Sequence, residues 1–232
     1  MKDAGDLFDQ YAAAYEDALS NAIAPTGEDR EYFAQGRAVW LKHCLDQINQ
    51  SARTVLDFGC GDGATTPLLL DRLKAEAAVG VDVSIKSLEI ARKVHATEQV
   101  RYESLEEFHG AGQMDLAYCN GVFHHIPPPQ RAEALALVSR ALRIGGFFSF
   151  WENSPWSLAT RYVMSRCAFD RDAILLTPPE ARKLLRDGGF EILRTDYRFI
   201  FPRALRALRK IEDLVYRVPL GAQYQVFCRK TR

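Results

Sequence analysis

From residue 54 onward, short apolar runs alternate with amphipathic stretches of helical length, and this alternation restricts the chain more than any other feature. Strand and helix in strict turn force right-handed crossovers, and hence a parallel sheet with helices on both faces. Thr54–Phe58 (TVLDF) reads as a buried strand, and residues 64–75 carry Leu68, Leu69, Leu70 and Leu73 at helical spacing. Ala78–Val83 is a second strand, after which Ser84 caps a helix reaching Thr97. Val100–Glu103 and Met114–Asn120 supply two more strands. A proline-led helix then covers residues 128–142, and Gly145-Gly146 turns the chain into Phe147–Glu152. A helix over 178–187, a strand from Phe190 to Phe201, a basic helix over 203–217 and a strand over Gln223–Arg229 complete the pattern. The direction of that last strand pair stays open. The first 50 residues read as helical and separate, broken at Pro25-Thr26-Gly27, and form a cover on one domain. The expected layout of that single domain, 1–232, is a cover over 1–50, a core over 53–152, an insertion over 153–178 and a C-terminal part over 179–232.

The 232 residues are enough to bury a sizeable core. Thirty Lys and Arg balance thirty Asp and Glu, which removes the long-range attraction expected of a nucleic-acid binder. That balance is uneven along the chain. Residues 1–36 hold eight acidic and two basic side chains, whereas residues 194–232 hold three acidic and ten basic. The two ends are expected to meet and neutralise each other, within one chain or across a homo-oligomer contact. Five scattered cysteines without a C-x-x-C pair point to reduced thiols in a cytoplasmic protein, with neither a disulfide framework nor a metal site. The acidic start lacks the apolar core of a signal peptide, and no stretch approaches the roughly 18 apolar residues of a membrane span.

The chemistry concentrates in Val55-Leu56-Asp57-Phe58-Gly59-Cys60-Gly61-Asp62-Gly63, a strand running through a glycine turn into a helix. Glycines at alternate positions let a ligand lie against bare backbone. Residues 59–64 also satisfy the G-x-G-x-x-A pattern of dinucleotide folds, so a nicotinamide oxidoreductase is one alternative. Two carboxylates distinguish the readings. Asp57 near the end of the first strand would repel a pyrophosphate but suit an ammonium group, and Asp82 at the end of the second can accept bonds from both ribose hydroxyls. S-adenosylmethionine carries an ammonium and a ribose but no phosphate.

With VLDFGCGDG, VGVDVS, MDLAYCNGVFHHIP and LRIGGFFSF in that order, residues 53–152 resemble the class I S-adenosylmethionine-dependent methyltransferases, in particular the small-molecule group of ubiquinone and menaquinone biosynthesis. The resemblance implies a doubly wound, mostly parallel seven-stranded Rossmann-like α/β sheet with a helical N-terminal cover. It implies that Asp57, Gly59 and Gly61 hold the methionine end of S-adenosylmethionine, that Asp82 holds the ribose, and that Val83 packs on one adenine face. Glu103-Ser104-Leu105-Glu106 departs from the short acidic motif that the family places near the adenine amino group, and Leu105 is read there as an adenine wall. Asn120 would lie beneath the sulfonium, and Tyr15 and Arg37 would meet the cofactor carboxylate. The implied partner is a small-molecule methyl acceptor. Asn120-Gly121-Val122-Phe123 departs from the Asn/Asp-Pro-Pro-aromatic string of enzymes that methylate adenine or glutamine nitrogen, which argues against a nucleic-acid substrate.

Methyl transfer needs a base only for a protonated acceptor. His124 and His125, just after the fourth strand, and Glu152, ending the fifth, are the candidates at the ligand-binding edge of the sheet. Each histidine has a plain structural alternative, packing on the loop or bonding to backbone. Residues 153–178 interrupt the alternation with Trp156, Tyr162, Met164 and Phe169 beside Arg161 and Arg166, as in a lid over an acceptor pocket. Inward-facing Arg161 and Arg166 would suit a carboxylate, phosphate or phenolate. Phe8, Tyr11 and Tyr15 recur at helical spacing and serve either as part of the cover or as a packed stripe. The basic amphipathic stretch 203–217 reads as a surface helix with solvated cations. A chain that binds the cofactor without turnover is the remaining alternative.

Overall fold

Val55-Leu56 and Val79-Gly80-Val81 lack polar alternation, as suits strands covered on both faces. They lie in β1 (Thr54–Phe58) and β2 (Ala77–Asp82) of the computed structural model, which describes residues 9, 15–167 and 170–232, excluding the side chains of residues 15–17. With β3 (Val100–Ser104), β4 (Met114–Asn120), β5 (Leu142–Asn153), β6 (Phe190–Arg198) and β7 (Gln223–Lys230), they form a seven-stranded sheet in the order β3-β2-β1-β4-β5-β7-β6. The first five strands pair in parallel. β7 inserts antiparallel between β5 and β6, which settles the direction of the last pair.

The crossover helices are α3 (Thr65–Leu73), α4 (Ile85–His95), α5 (Arg131–Ala141) and α7 (Pro178–Asp187). Ser84 and Thr177 cap α4 and α7 with their side chains, and at Thr177 the cap is a reciprocal box with Glu180. One apolar layer joins Leu56, Val81, Phe148 and Phe150 to α5 and α7. The other joins Val55, Leu116, Phe147 and Trp151 to α3 and α2 (Arg30–Gln47). α2 buries Ala38, Trp40, Leu41, Cys44 and Leu45, so it belongs to the core and is not a separate cover. The segment closer to a flap is α1 (Tyr15–Ile23), which faces α6 (Leu158–Ser165) through Ala22 and Val163.

Two elements are shorter than the sequence pattern suggests. β6 stops at Arg198 because Phe199 turns into the left-handed region (φ +64°) and the buried Glu212 carboxylate accepts the N–H groups of Ile200 and Phe201 at 3.1 and 2.9 Å. The expected long basic helix kinks at Leu205, leaving a 3-10 turn over Arg203–Leu208 and a short α8 (Arg209–Val215).

The oppositely charged ends do meet inside the chain. Arg209 donates to Glu28 at 2.7 Å, and Arg203 donates to the Gly27 carbonyl at 3.4 Å. Deeper in this contact, fully buried Asp196 of β6 accepts from Trp40 Nε1 at 3.0 Å and from Arg194 at 2.6 Å, and the Arg194 guanidinium lies over Trp40 and Tyr216. Among the described residues no helix is long and apolar enough to cross a membrane. Asp196→Ala would strand the indole N–H and the guanidinium, with an expected loss of about 3–5 kcal/mol in urea unfolding. Leu214→Ala, at a side chain 83% exposed, should stay within about 0.5 kcal/mol of wild type.

Candidate active site

The glycine turn closes on the end of β2. Gly59 and Cys60 donate to the Val81 carbonyl at 2.7 and 3.2 Å, and Gly61 donates to Asp82 Oδ2 at 2.8 Å. Three glycines with positive φ do three different jobs. A Cβ on Gly59 would stand 2.2 Å from Val122 Cγ2, so only bare backbone lets the turn approach the segment after β4. A Cβ on Gly63 would strike Tyr102 and Ala91, whereas one on Gly61 meets nothing within 4 Å. Gly61 is therefore the open face of the turn.

That face lines a crevice with Asp62, Asp82, Val83, Leu105 and Asn120. Ser84 N–H donates to Asp82 Oδ1 at 2.8 Å, so backbone donors orient both carboxylate oxygens. Burial raises the Asp82 pKa against the pull of these N–H groups. Beyond Asn120 lies a second cavity of about 310 Å³ under α1 and α6, walled by Ile23, Phe33, Val163, Met164 and Phe199 among others. Asn120, Gly121 and His125 line both spaces and form the seam between them. Asn120 Oδ1 is buried there without a hydrogen-bond partner.

At the seam, the 3-10 turn Phe123–His125 is held from below by fully buried Glu152. One Glu152 oxygen accepts the Phe123 N–H at 2.8 Å, and the other lies 2.6 Å from His124 Nδ1. Across the imidazoles stands Asp170, its Oδ1 at 3.5 Å from His124 Nε2 and 3.4 Å from His125 Nε2. Burial alone would lower the His124 pKa, but the two carboxylates outweigh it and lift it to about 9. Burial, reinforced by the neighbouring His124 charge, pulls His125 down to about 2.

Residues 55–146 match the family model described as a methyltransferase domain. The chain carries a methyltransferase domain over those residues. Over 125 residues it is 34% identical to a trans-aconitate 2-methyltransferase of Azoarcus sp., covering 53% of this chain and 49% of the relative. Over 108 residues it is 35% identical to a ubiquinone biosynthesis O-methyltransferase of Escherichia fergusonii, covering 42% of each. The chain thus spans about half or less of the length of these curated relatives. A solved S-adenosylmethionine-dependent methyltransferase from Thermotoga maritima superposes with a TM-score of 0.62 at 18% identity, over 97% of this chain and 99% of that one, which is a likeness of fold.

Of the expected cofactor contacts in this methyltransferase domain, Gly59, Gly61, Asp82, Val83, Leu105 and Asn120 gather around the crevice. Asp57 does not line it. Its buried carboxylate accepts the Thr66 hydroxyl at 2.8 Å, and Asp62 reaches the crevice instead, clamped by Arg30. Arg37 lines the second cavity, donating to the Tyr118 hydroxyl and to Gln223 at 2.9 and 3.0 Å, which places it away from the crevice. The Tyr15 side chain, Phe8, Tyr11 and Phe169 lie outside the described residues. His124 and His125 both reach the second cavity, whereas Glu152 lines neither space and acts on His124 from behind. The insertion does roof the cavity, but Arg161 and Arg166 point outward and are exposed, with Arg166 over the Tyr162 ring. The arginines on the cavity are Arg30 and Arg37 from α2. Sequence reading missed Asp170, one of two acidic residues in the insertion, with no spacing to mark it.

Burial pushes the Asp57 carboxyl up to about 7 from 3.8, against the Thr66 hydroxyl and with help from Asp82. The folded chain therefore holds an extra proton between those values, and its stability falls as pH rises from about 4 to about 7. Asp57→Asn removes this dependence. Its stability gain over wild type in urea unfolding should be larger at about pH 8 than at about pH 5, and an equal gain at both would contradict the burial.

Proposed function

We propose that the chain transfers a methyl group from S-adenosylmethionine to a small, largely apolar acceptor held under α6, with the nucleophilic atom at the Asn120–His125 seam. The observation that carries this reading is the meeting of two differently built spaces at three shared residues, Asn120, Gly121 and His125. The crevice offers a bare glycine face, an oriented carboxylate and apolar walls at Val83 and Leu105, which suit a methionyl group, a ribose and an adenine in turn. The unpartnered Asn120 oxygen suits a cationic sulfonium beside it. When bound, S-adenosylmethionine supplies an electrophilic methyl on a good leaving group.

The protein's part is alignment and exclusion of water. Orientation of this kind is worth about 7–11 kcal/mol in favourable cases. Apolar walls at Ile23, Phe33 and Val163 would hold the acceptor body, and the imidazoles would meet its polar end. An oxygen nucleophile is the acceptor atom this reading favours, supported by the relative named as an O-methyltransferase. All five cysteines are free thiols, which supports a reducing compartment such as the cytoplasm.

Calorimetry with S-adenosylhomocysteine and turnover with a panel of aromatic and carboxylic acceptors test the reading. Asp82→Ala should weaken S-adenosylhomocysteine binding roughly 10- to 100-fold, as expected for lost hydrogen bonds to a charged group. Ala159→Trp, on α6 and lining the second cavity, should leave that binding intact and raise the acceptor KM. Unchanged affinity in Asp82→Ala, or preferential binding of a nicotinamide dinucleotide, would refute the assignment.

A further inference from the structure

His124 and His125 each present Nε2 to the same Asp170 oxygen, at 3.5 and 3.4 Å. These gaps exceed the 2.7–3.2 Å of a good N–H···O bond. They match two donors sharing one ion: atoms bonded to a tetrahedral zinc at about 2.0–2.1 Å stand about 3.4 Å apart. The ligand atoms of all three residues lie within 4.8 Å of one another. The 3-10 turn over Phe123–His125 carries adjacent imidazoles whose ring centres are 4.1 Å apart.

The surroundings are built to hold this arrangement. Glu152 binds His124 Nδ1 at 2.6 Å, the carboxylate–histidine contact that fixes the tautomer and basicity of a metal-bound imidazole. Arg131 donates to the carbonyls of Phe123, Ile126 and Ile174, and Ile174 N–H donates to the His124 carbonyl at 2.8 Å, so the strand-end turn and the insertion that brings Asp170 are tied together. His124, His125 and Asp170 all line the acceptor cavity, which leaves one side of the cluster open to it. Two imidazoles with one carboxylate favour a transition ion of the zinc class over magnesium or calcium.

We propose that His124, His125 and Asp170 bind one divalent transition ion, with zinc as the type case, and that an anionic acceptor oxygen takes its open position. This deepens, and rests on, the methyl-transfer reading of the same seam. Glu152 is the positioning residue, acting through His124. The ion selects acceptors that offer a carboxylate or an ionised hydroxyl.

The test uses the full chain without an affinity tag, stripped with a chelator, free of cofactor, and titrated with Co²⁺ as a spectroscopic stand-in. One equivalent should develop a visible ligand-field band that Zn²⁺ abolishes, and Zn²⁺ should raise the Tm. His125→Ala and Asp170→Asn should keep their metal-free Tm and lose the band, while Glu152→Gln should bind 10- to 100-fold more weakly. No saturable band in the wild type, or a band that survives in both His125→Ala and Asp170→Asn, overturns the proposal. Should either variant fail to fold, the wild-type stoichiometry and Zn²⁺-dependent Tm decide, and no rise at one equivalent overturns it. Calorimetry with S-adenosylhomocysteine on the same stripped sample keeps the two readings apart. Cofactor binding without metal binding refutes only the ion site, and metal binding without cofactor binding refutes only the methyl-transfer reading.

Discussion

The approach of Gly59 to Val122, closer than any side chain allows, brings the turn after β1 against the turn after β4. β1 and β4 are neighbours at the point where the strand order reverses, with β2 and β3 on one side and β5 and β7 on the other. At such a point the connections leave in opposite directions and open a crevice beyond the strand ends. Everything functional follows from the width of that opening. Gly61 faces it, Asp82 is oriented by the Gly61 N–H, and Asn120 stands where it joins the second cavity.

The second cavity depends on a different contact. Fully buried Asp196 ties Trp40 of α2 to β6, and Glu28 meets Arg209 at the end of α2. These contacts bring Phe33 and Arg37 over the β4–β5 edge, with Phe199, and α6 closes the remaining side. The charge asymmetry between the two ends of the chain is thus partly spent within the fold, around a buried carboxylate and its aromatic neighbours. An exposed pair would contribute little. Here the weight lies on Asp196, which has almost no access to water.

The alternation and glycine motif carried most of the sheet, because strand and helix periods are local properties and the parallel order follows from chirality. The crevice was legible for the same reason: Gly59, Gly61, Asp82 and Val83 occupy fixed offsets from strand ends. Strand position does not reveal that Thr66, nine residues on, donates to the Asp57 carboxylate. Which way Arg37, Arg161 and Arg166 face is not legible in the sequence, because helical phase within the insertion and in α2 is set by tertiary packing. Glu152 was legible as a strand-end acid but not as a group sealed behind His124, and Asp170 had no sequence signal at all. Its partner histidines lie 45 and 46 residues away, and only the return of the insertion brings the three together.

A crystal structure of the chain with S-adenosylhomocysteine tests the central claim most directly, because it fixes the sulfur relative to both cavities. The account predicts the ribose hydroxyls on Asp82, the adenine between Val83 and Leu105, and the sulfur beside Asn120 with its open side toward the cavity under α6. Ligand density with the ribose away from Asp82, or with the sulfur facing away from that cavity, would contradict it.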